Sequence, residues 1–242
     1  PADGYTLLMD AHSASSLMAA AIADLPFDWQ KRTWIGRLCL DPVFYAVKSD
    51  SKWKTLADIA AAAKKNPQEF TWGCGGAGGI STISLSTFLL AAGVSLSGTK
   101  RVVFTGGAPA LTALAGGHIE FAAQQASEVQ SLASAGKIRL IATTLEKRSE
   151  DFPEVPTTKE AGFPQVTITG WQGISGPPGL PEHIVNVWVK TLKDAASDPE
   201  FLDRAKKVGK VISVLGPEAM KSMVMKQYEE YLYVLTQVGL RK

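Results

Sequence analysis

The segment Gly73-Cys74-Gly75-Gly76-Ala77-Gly78 lies between an apolar run, Phe70 to Gly73, and a helical pattern, Ile80 to Ala92. Its spacing fits G-x-G-x-x-G, which in a strand-to-helix setting cradles the pyrophosphate of a dinucleotide. Such a site also needs an acidic residue roughly 20 positions on for the ribose. No Asp or Glu occurs between Glu69 and Glu120, so a nucleotide-dependent oxidoreductase stands as the alternative reading. The physics beneath the motif is more general. Small residues let the backbone approach a ligand, and the unpaired N–H groups that open a helix favour an anion. The same glycines would also serve a tight turn with close strand-to-helix packing. The anion reading takes Gly75, Gly76, Ala77, Gly78 and Gly79 as contacts, with a hydroxyl from Ser81. Thr105 and Gly106 form a second small-residue loop at the end of the next strand, and Ala126-Ser127 follow the strand Ile119 to Ala123. Open α/β sheets bind their ligands at such strand ends.

Catalytic constellations are poor. Of His12, His118 and His183, only His12, beside Ser13 and Ser15 in a loop after a strand, has the address of a site residue. Ala11, His12 and Ser13 therefore join the candidate contacts, although His12 reads equally well as a hydrogen-bonding loop residue. There is no G-x-S-x-G elbow of the kind a Ser/His hydrolase of the α/β type uses. Cys39 and Cys74 lack C-x-x-C or Cys/His spacing, which argues against zinc, and their surroundings do not suggest a pair. The expectation is a chain with no catalytic residue, no metal and no cofactor.

The elements that must hold these loops follow from periodicity. Tyr5 to Met9 reads as a strand behind an Asp3-Gly4 turn, and Ser13 to Ala23 as a helix. Strands are expected at Trp34 to Leu40, Val43 to Val47, Arg101 to Phe104 and Ile138 to Thr143. Helices are expected from Thr55 to Lys65, Pro109 to Ala115 and Val129 to Ser134. The recurring strand-helix-strand order implies an α/β unit with a mainly parallel sheet. Past Pro181 the pattern turns helical: Ile184, Val185, Trp188 and Leu192 share a face, and further helices run near Pro199 to Lys207 and Pro217 to Val238. Composition bounds the rest. An apolar share of 45% in 242 residues supports sizeable cores. The balance of 25 Lys+Arg against 23 Asp+Glu gives no cationic face for nucleic acid, and no apolar run approaches the roughly 20 residues of a membrane span.

Taken in order, the motifs resemble the Bug family, the substrate-binding components of tripartite tricarboxylate transporters. The resemblance covers nearly the whole chain. It rests on Ala2-Asp3-Gly4-Tyr5-Thr6-Leu7-Leu8, the glycine loop, Gly106-Gly107-Ala108-Pro109-Ala110 with Gly116-Gly117, and Ala135-Gly136-Lys137-Ile138-Arg139. It continues through Pro153-Glu154-Val155-Pro156-Thr157, Glu160-Ala161-Gly162, Trp171-Gln172-Gly173 and Gly176-Pro177-Pro178-Gly179-Leu180-Pro181. The resemblance implies an α/β, two-lobed fold like that of periplasmic binding proteins. Residues 1–46 and 173–242 would form lobe one, and 47–172 lobe two with the glycine loop. The crossings would fall near Val43 to Lys48 and Thr169 to Ile174, with Trp171 either packing both lobes or serving as a core residue. It implies a periplasmic protein, its signal peptide not in this chain, that captures a small organic acid in a cleft and delivers it to membrane transporter subunits. It would make no direct membrane insertion, and a ligand sensor of the same fold would look alike. Two departures stand out: the family's strand-loop-helix-strand unit before Ala2 is absent, so lobe one is expected to be truncated, and Ser81-Thr82-Ile83-Ser84 stands where a histidine is common.

Overall fold

The Asp3-Gly4 pair forms the expected turn: Gly4 takes φ 84° and the Tyr5 N–H donates to Asp3 Oδ1 at 3.0 Å. The strand begins later than the apolar run, because pairing rather than hydrophobicity sets its bounds. Tyr5 is 94% exposed, and β1 (Leu8–Ala11) lies in register with the strand that contains Ser175 to Gln172. The chain is seen here as a computed structural model, which describes residues 2–241. After β1 come a π-helical turn (Ser13–Leu17) and α1 (Met18–Ala21), then β2 (Thr33–Asp41), β3 (Val43–Lys48), α2 (Leu56–Lys65) and β4 (Thr71–Gly75). Next are α3 (Ile80–Ala91), β5 (Lys100–Phe104), α4 (Gly107–Ala115), β6 (Phe121–Gln125), α5 (Ala126–Ser134) and β7 (Ile138–Thr143). Then follow β8 (Gly170–Gly176), α6 (Glu182–Ala195), α7 (Pro199–Lys207), β9 (Val211–Leu215) and α8 (Pro217–Gln237). The single helix expected over Ser13 to Ala23 is thus a π turn and one short α turn, closed where Ile22 becomes extended.

The chain divides into two units. The first takes residues up to Asp41, Gly170–Thr236 and Arg241, and the second Pro42–Thr169 with Gln237–Leu240. The boundaries differ by a few residues from those expected. All of β3 belongs to the second unit because it pairs with β6 and β7, and Gly170 to Gln172 belong to the first because β8 pairs with β1 and β2.

The first unit is a four-stranded sheet in the order β1-β8-β2-β9, antiparallel throughout. One core contains Ala19, Trp29, Trp34, Trp171, Met220 and Val224. A second joins Ile35, Leu180 and Leu192 to Ile184, Val185 and Trp188, the face that the helical spacing predicts for α6. Trp171 is fully buried in the first of these cores. Its indole N–H donates to Gln227 Oε1 at 2.6 Å, an oxygen that also accepts from Ser16 Oγ at 3.3 Å.

The second unit holds a five-stranded sheet in the order β5-β4-β6-β3-β7. Strand β4 runs parallel to β5 and β6, while β3 is antiparallel to β6 and β7. The sheet is therefore mainly parallel with one reversed strand. Helix α2 starts where its capping box requires, with Thr55 Oγ1 accepting from the Asp58 N–H and Asp58 accepting from the Thr55 N–H. Helix α3 is buried on most of its surface, so its hydroxyls turn inward. Ser84 Oγ lies 2.6 Å from Tyr45 Oη, whose pKa burial pushes up. Tyr45, Phe88 and Phe121 form the aromatic centre, with Tyr45 stacked on Phe121 at 5.7 Å. Each such buried ring contributes about 1.5 to 3 kcal/mol.

Candidate functional site

Strands β4, β5 and β6 are neighbours that run the same way, so their carboxyl ends share one edge of the second unit's sheet. Each passes through small residues into a helix: β4 through Gly75 to Gly79 into α3, β5 through Thr105 and Gly106 into α4, and β6 directly into α5 at Ala126. Three of the expected contact groups are thereby brought together in one unit. The fourth, Ala11, His12 and Ser13, follows β1 in the first unit.

The glycines have separate physical duties. A Cβ on Gly75 would lie 2.6 Å from the Gly107 nitrogen and 2.7 Å from the Gly106 carbonyl carbon, so β4 can end against the α4 loop only without a side chain. Gly76 occupies the left-handed region at φ 85°. Around Gly78, by contrast, nothing lies within 4 Å of a built Cβ, and Ala77 and Gly78 are exposed. The loop is fixed from inside. The Gly76 N–H donates to Phe104 O at 2.9 Å, the Gly79 N–H to Gly76 O at 3.4 Å, and Thr82 Oγ1 to Gly76 O at 2.7 Å.

These bonds redistribute the donors relative to the sequence reading. The N–H groups of Gly76 and Gly79 face protein carbonyls. Ser81, buried, turns its hydroxyl oxygen back to accept the Gly75 N–H at 3.1 Å. What the edge exposes is Ala77 and Gly78; directly behind them lie the buried first-turn residues Ile80, Ser81 and Thr82, whose N–H groups have no acceptor within the helix. At β6 the Ala126 N–H donates to Pro42 O at 3.0 Å, while Ser127 is exposed. The position at which a dinucleotide fold carries its ribose acid, the end of the next strand, holds Phe104 and Thr105.

In the first unit His12 is 9% exposed and tied to β8: its N–H donates to Trp171 O at 3.3 Å, and its Nδ1 accepts the Trp171 N–H at 3.4 Å. Burial lowers its pKa below the ordinary 6.5, against an opposing pull from Asp41, which is ion-paired to Lys210. The loop that carries it is anchored by a group sequence reasoning missed. Asp10, fully buried, accepts from Arg32 Nη1 at 3.0 Å and from Ser15 Oγ at 2.5 Å, and Arg32 Nη1 also donates to Ser15 Oγ at 2.7 Å. An Asp inside a short apolar strand gives no such signal until its partner, 22 residues away, is known. Cys39 and Cys74 are both buried free thiols, and among the described residues no cluster of His, Cys, Asp and Glu could hold a metal. No helix of the described residues is long and apolar enough to cross a membrane.

Comparison with known proteins agrees with this architecture. The UPF0065 protein of the ttuE-ttuC' intergenic region of Agrobacterium vitis is 27% identical over 241 residues, 98% of this chain and 68% of that protein. A second UPF0065 protein, from Pseudomonas sp. strain P51, is 24% identical over 200 residues, 82% of this chain; the match spans 59% of its own length. A TctC solute-binding protein from Polaromonas superposes with a TM-score of 0.83 at 26% identity, covering 98% of this chain and 80% of that one. Two Rhodopseudomonas palustris structures share the fold. One, with adipate, has a TM-score of 0.76 at 23% identity and coverages of 99% and 79%. The other, MatC with bound malate, has 0.73 at 22% and coverages of 97% and 80%. The model of the tripartite tricarboxylate transporter family receptor matches residues 1–230, so the chain that carries this glycine-lined sheet edge belongs to the Bug family of tripartite tricarboxylate receptors.

Proposed function

We propose that this chain is a periplasmic receptor that captures a small organic carboxylate and delivers it to the membrane subunits of a tripartite tricarboxylate-type transporter. The observation that carries the reading is the carboxyl edge of the second unit's sheet. There three parallel strands end in small residues and helix N-termini, and the exposed backbone of Ala77 and Gly78 leads into the unpaired N–H groups of α3. A carboxylate at the N–H groups of a helix start is favoured by about 0.3 to 1 kcal/mol in all at the surface, and by more where water is partly excluded. The adipate and malate held by the two Rhodopseudomonas palustris proteins of the same fold support a carboxylate as the ligand class. The proposed contacts are Ala77 and Gly78 with the α3 first turn, flanked by Thr105, Gly106 and Ser127. Gly75, Gly76, Gly79 and Ser81 shape the loop, and His12 orders the loop after β1.

A thermal-shift screen of mono-, di- and tricarboxylates tests this. A ligand at 100 times its dissociation constant adds about 2.7 kcal/mol of stability, which raises the melting temperature by several degrees. At least one acid should do so with saturable dependence. If none does at millimolar concentration, the carboxylate reading fails.

A further inference from the structure

Glu128 lies in the first turn of α5, beyond the acid-free stretch, yet the fold returns its carboxylate to the same sheet edge. It rests on Gly107, the first residue of α4: a Cβ built there would come within 2.5 Å of Glu128 Oε2 and still nearer to Oε1. The α4 terminus cannot cap itself, since its N-cap Gly106 has no side chain and Pro109 has no N–H. Glu128 therefore places a carboxylate beside that terminus. Gln124, at the end of β6, connects it to the glycine loop. In the amide orientation that satisfies both ends, Gln124 donates to Glu128 Oε2 at 3.0 Å and its oxygen, at 3.2 Å, shares the Gly75 N–H with Ser81 Oγ.

We infer that Glu128 sets the charge of the accepted ligand: its carboxylate fills the anion position at the α4 terminus, which leaves α3 to receive one ligand carboxylate and disfavours a second. This inference rests on the carboxylate-receptor reading above. It selects monocarboxylates, or carboxylates whose far end is uncharged, over dicarboxylates of the same length. The physical ground is like-charge repulsion across neighbouring helix starts on one sheet edge, where a second anion would meet a carboxylate instead of free N–H groups.

The test is isothermal titration of wild type and Glu128→Gln at pH 7 with matched pairs: butanoate and succinate, hexanoate and adipate, benzoate and terephthalate. The amide keeps the shape and removes the charge. Wild type should bind the monoacid of a pair more tightly, and Glu128→Gln should move the ratio at least tenfold toward the diacid. A purely structural role for Glu128 would move both members of a pair alike. Should Glu128→Gln not fold, Glu128→Ala serves with the same ratio as readout. An unchanged ratio, or a wild type that prefers diacids, overturns the inference and leaves the receptor reading intact. If wild type binds none of the six but responds to another di- or tricarboxylate in the thermal-shift screen, the inference is overturned; if no acid of that screen binds either protein, the receptor reading itself fails.

Discussion

Replacing Gly75 by alanine should damage the sheet edge, and the size of the effect can be worked from the contacts. The new methyl would lie 2.6 Å from the Gly107 nitrogen, 2.7 Å from the Gly106 carbonyl carbon and 3.0 Å from the Gly106 oxygen. Comfortable contacts are roughly 3.5 to 4.0 Å, so β4 and the α4 loop must part by about 1 Å. All three obstructing atoms are backbone, and no side chain can swing away. Overpacking of this kind costs about 1 to 3 kcal/mol, and the rigid partners put this case near the top, at about 3 kcal/mol. At about 2 to 4 °C per kcal/mol for a chain of this size, the melting temperature should fall by roughly 6 to 12 °C. Gly78→Ala is the control, because its Cβ meets nothing within 4 Å and its φ is not left-handed; it should stay within about 0.5 kcal/mol of wild type. Urea denaturation of the three proteins decides the matter. If Gly75→Ala unfolds at the same urea concentration as Gly78→Ala, the close approach of β4 to the α4 loop is not real.

Two further effects concern the first unit. Gln227→Leu removes the oxygen that accepts from both Trp171 Nε1 and Ser16 Oγ; leaving buried donors unpaired should cost at least about 1 kcal/mol in a urea melt, and an unchanged midpoint would count against the bond. His12 has a pKa lowered in the folded state, chiefly by burial. As pH falls below the ordinary 6.5, the unfolded chain takes up a proton that the folded chain does not, so stability declines toward the lowered folded pKa by at most about 1.4 kcal/mol per pH unit. The stability difference between wild type and His12→Asn should therefore be largest near pH 8 and shrink by pH 5, and a constant difference would refute that linkage.

Where local chemistry decides structure, it was readable in the sequence. The Thr55/Asp58 box starts α2, the glycines end β4, and the apolar face of α6 packs as its spacing requires. Where tertiary pairing decides, it was not. Tyr5 to Leu7 look like strand but lie outside the ladder that β8 imposes on Leu8 to Ala11. Strand β9 follows Gly209 as an unremarkable Val-Ile-Ser-Val-Leu run and gains its identity from pairing with β2. The same holds within the site. The glycine loop announced itself by composition, but the inward turn of Ser81 and the occupied N–H of Gly76 depend on α3 and β5. Glu128 reads as an ordinary first-turn acid until α4 and α5 are packed side by side, and only then does its carboxylate reach Gly107.

The most direct test of the receptor reading places a charge where the ligand's own should lie. Gly78 is suited to it, because the space around it is open and alanine there adds no strain. With the best acid from the thermal-shift screen, Gly78→Ala should bind nearly as wild type does. Gly78→Asp, folded to the same extent, should bind at least about 1.4 kcal/mol more weakly than Gly78→Ala, a factor of ten. Equal affinity of the two variants for that acid would contradict the account, since the glycine loop would then be structural and the carboxylate would sit elsewhere.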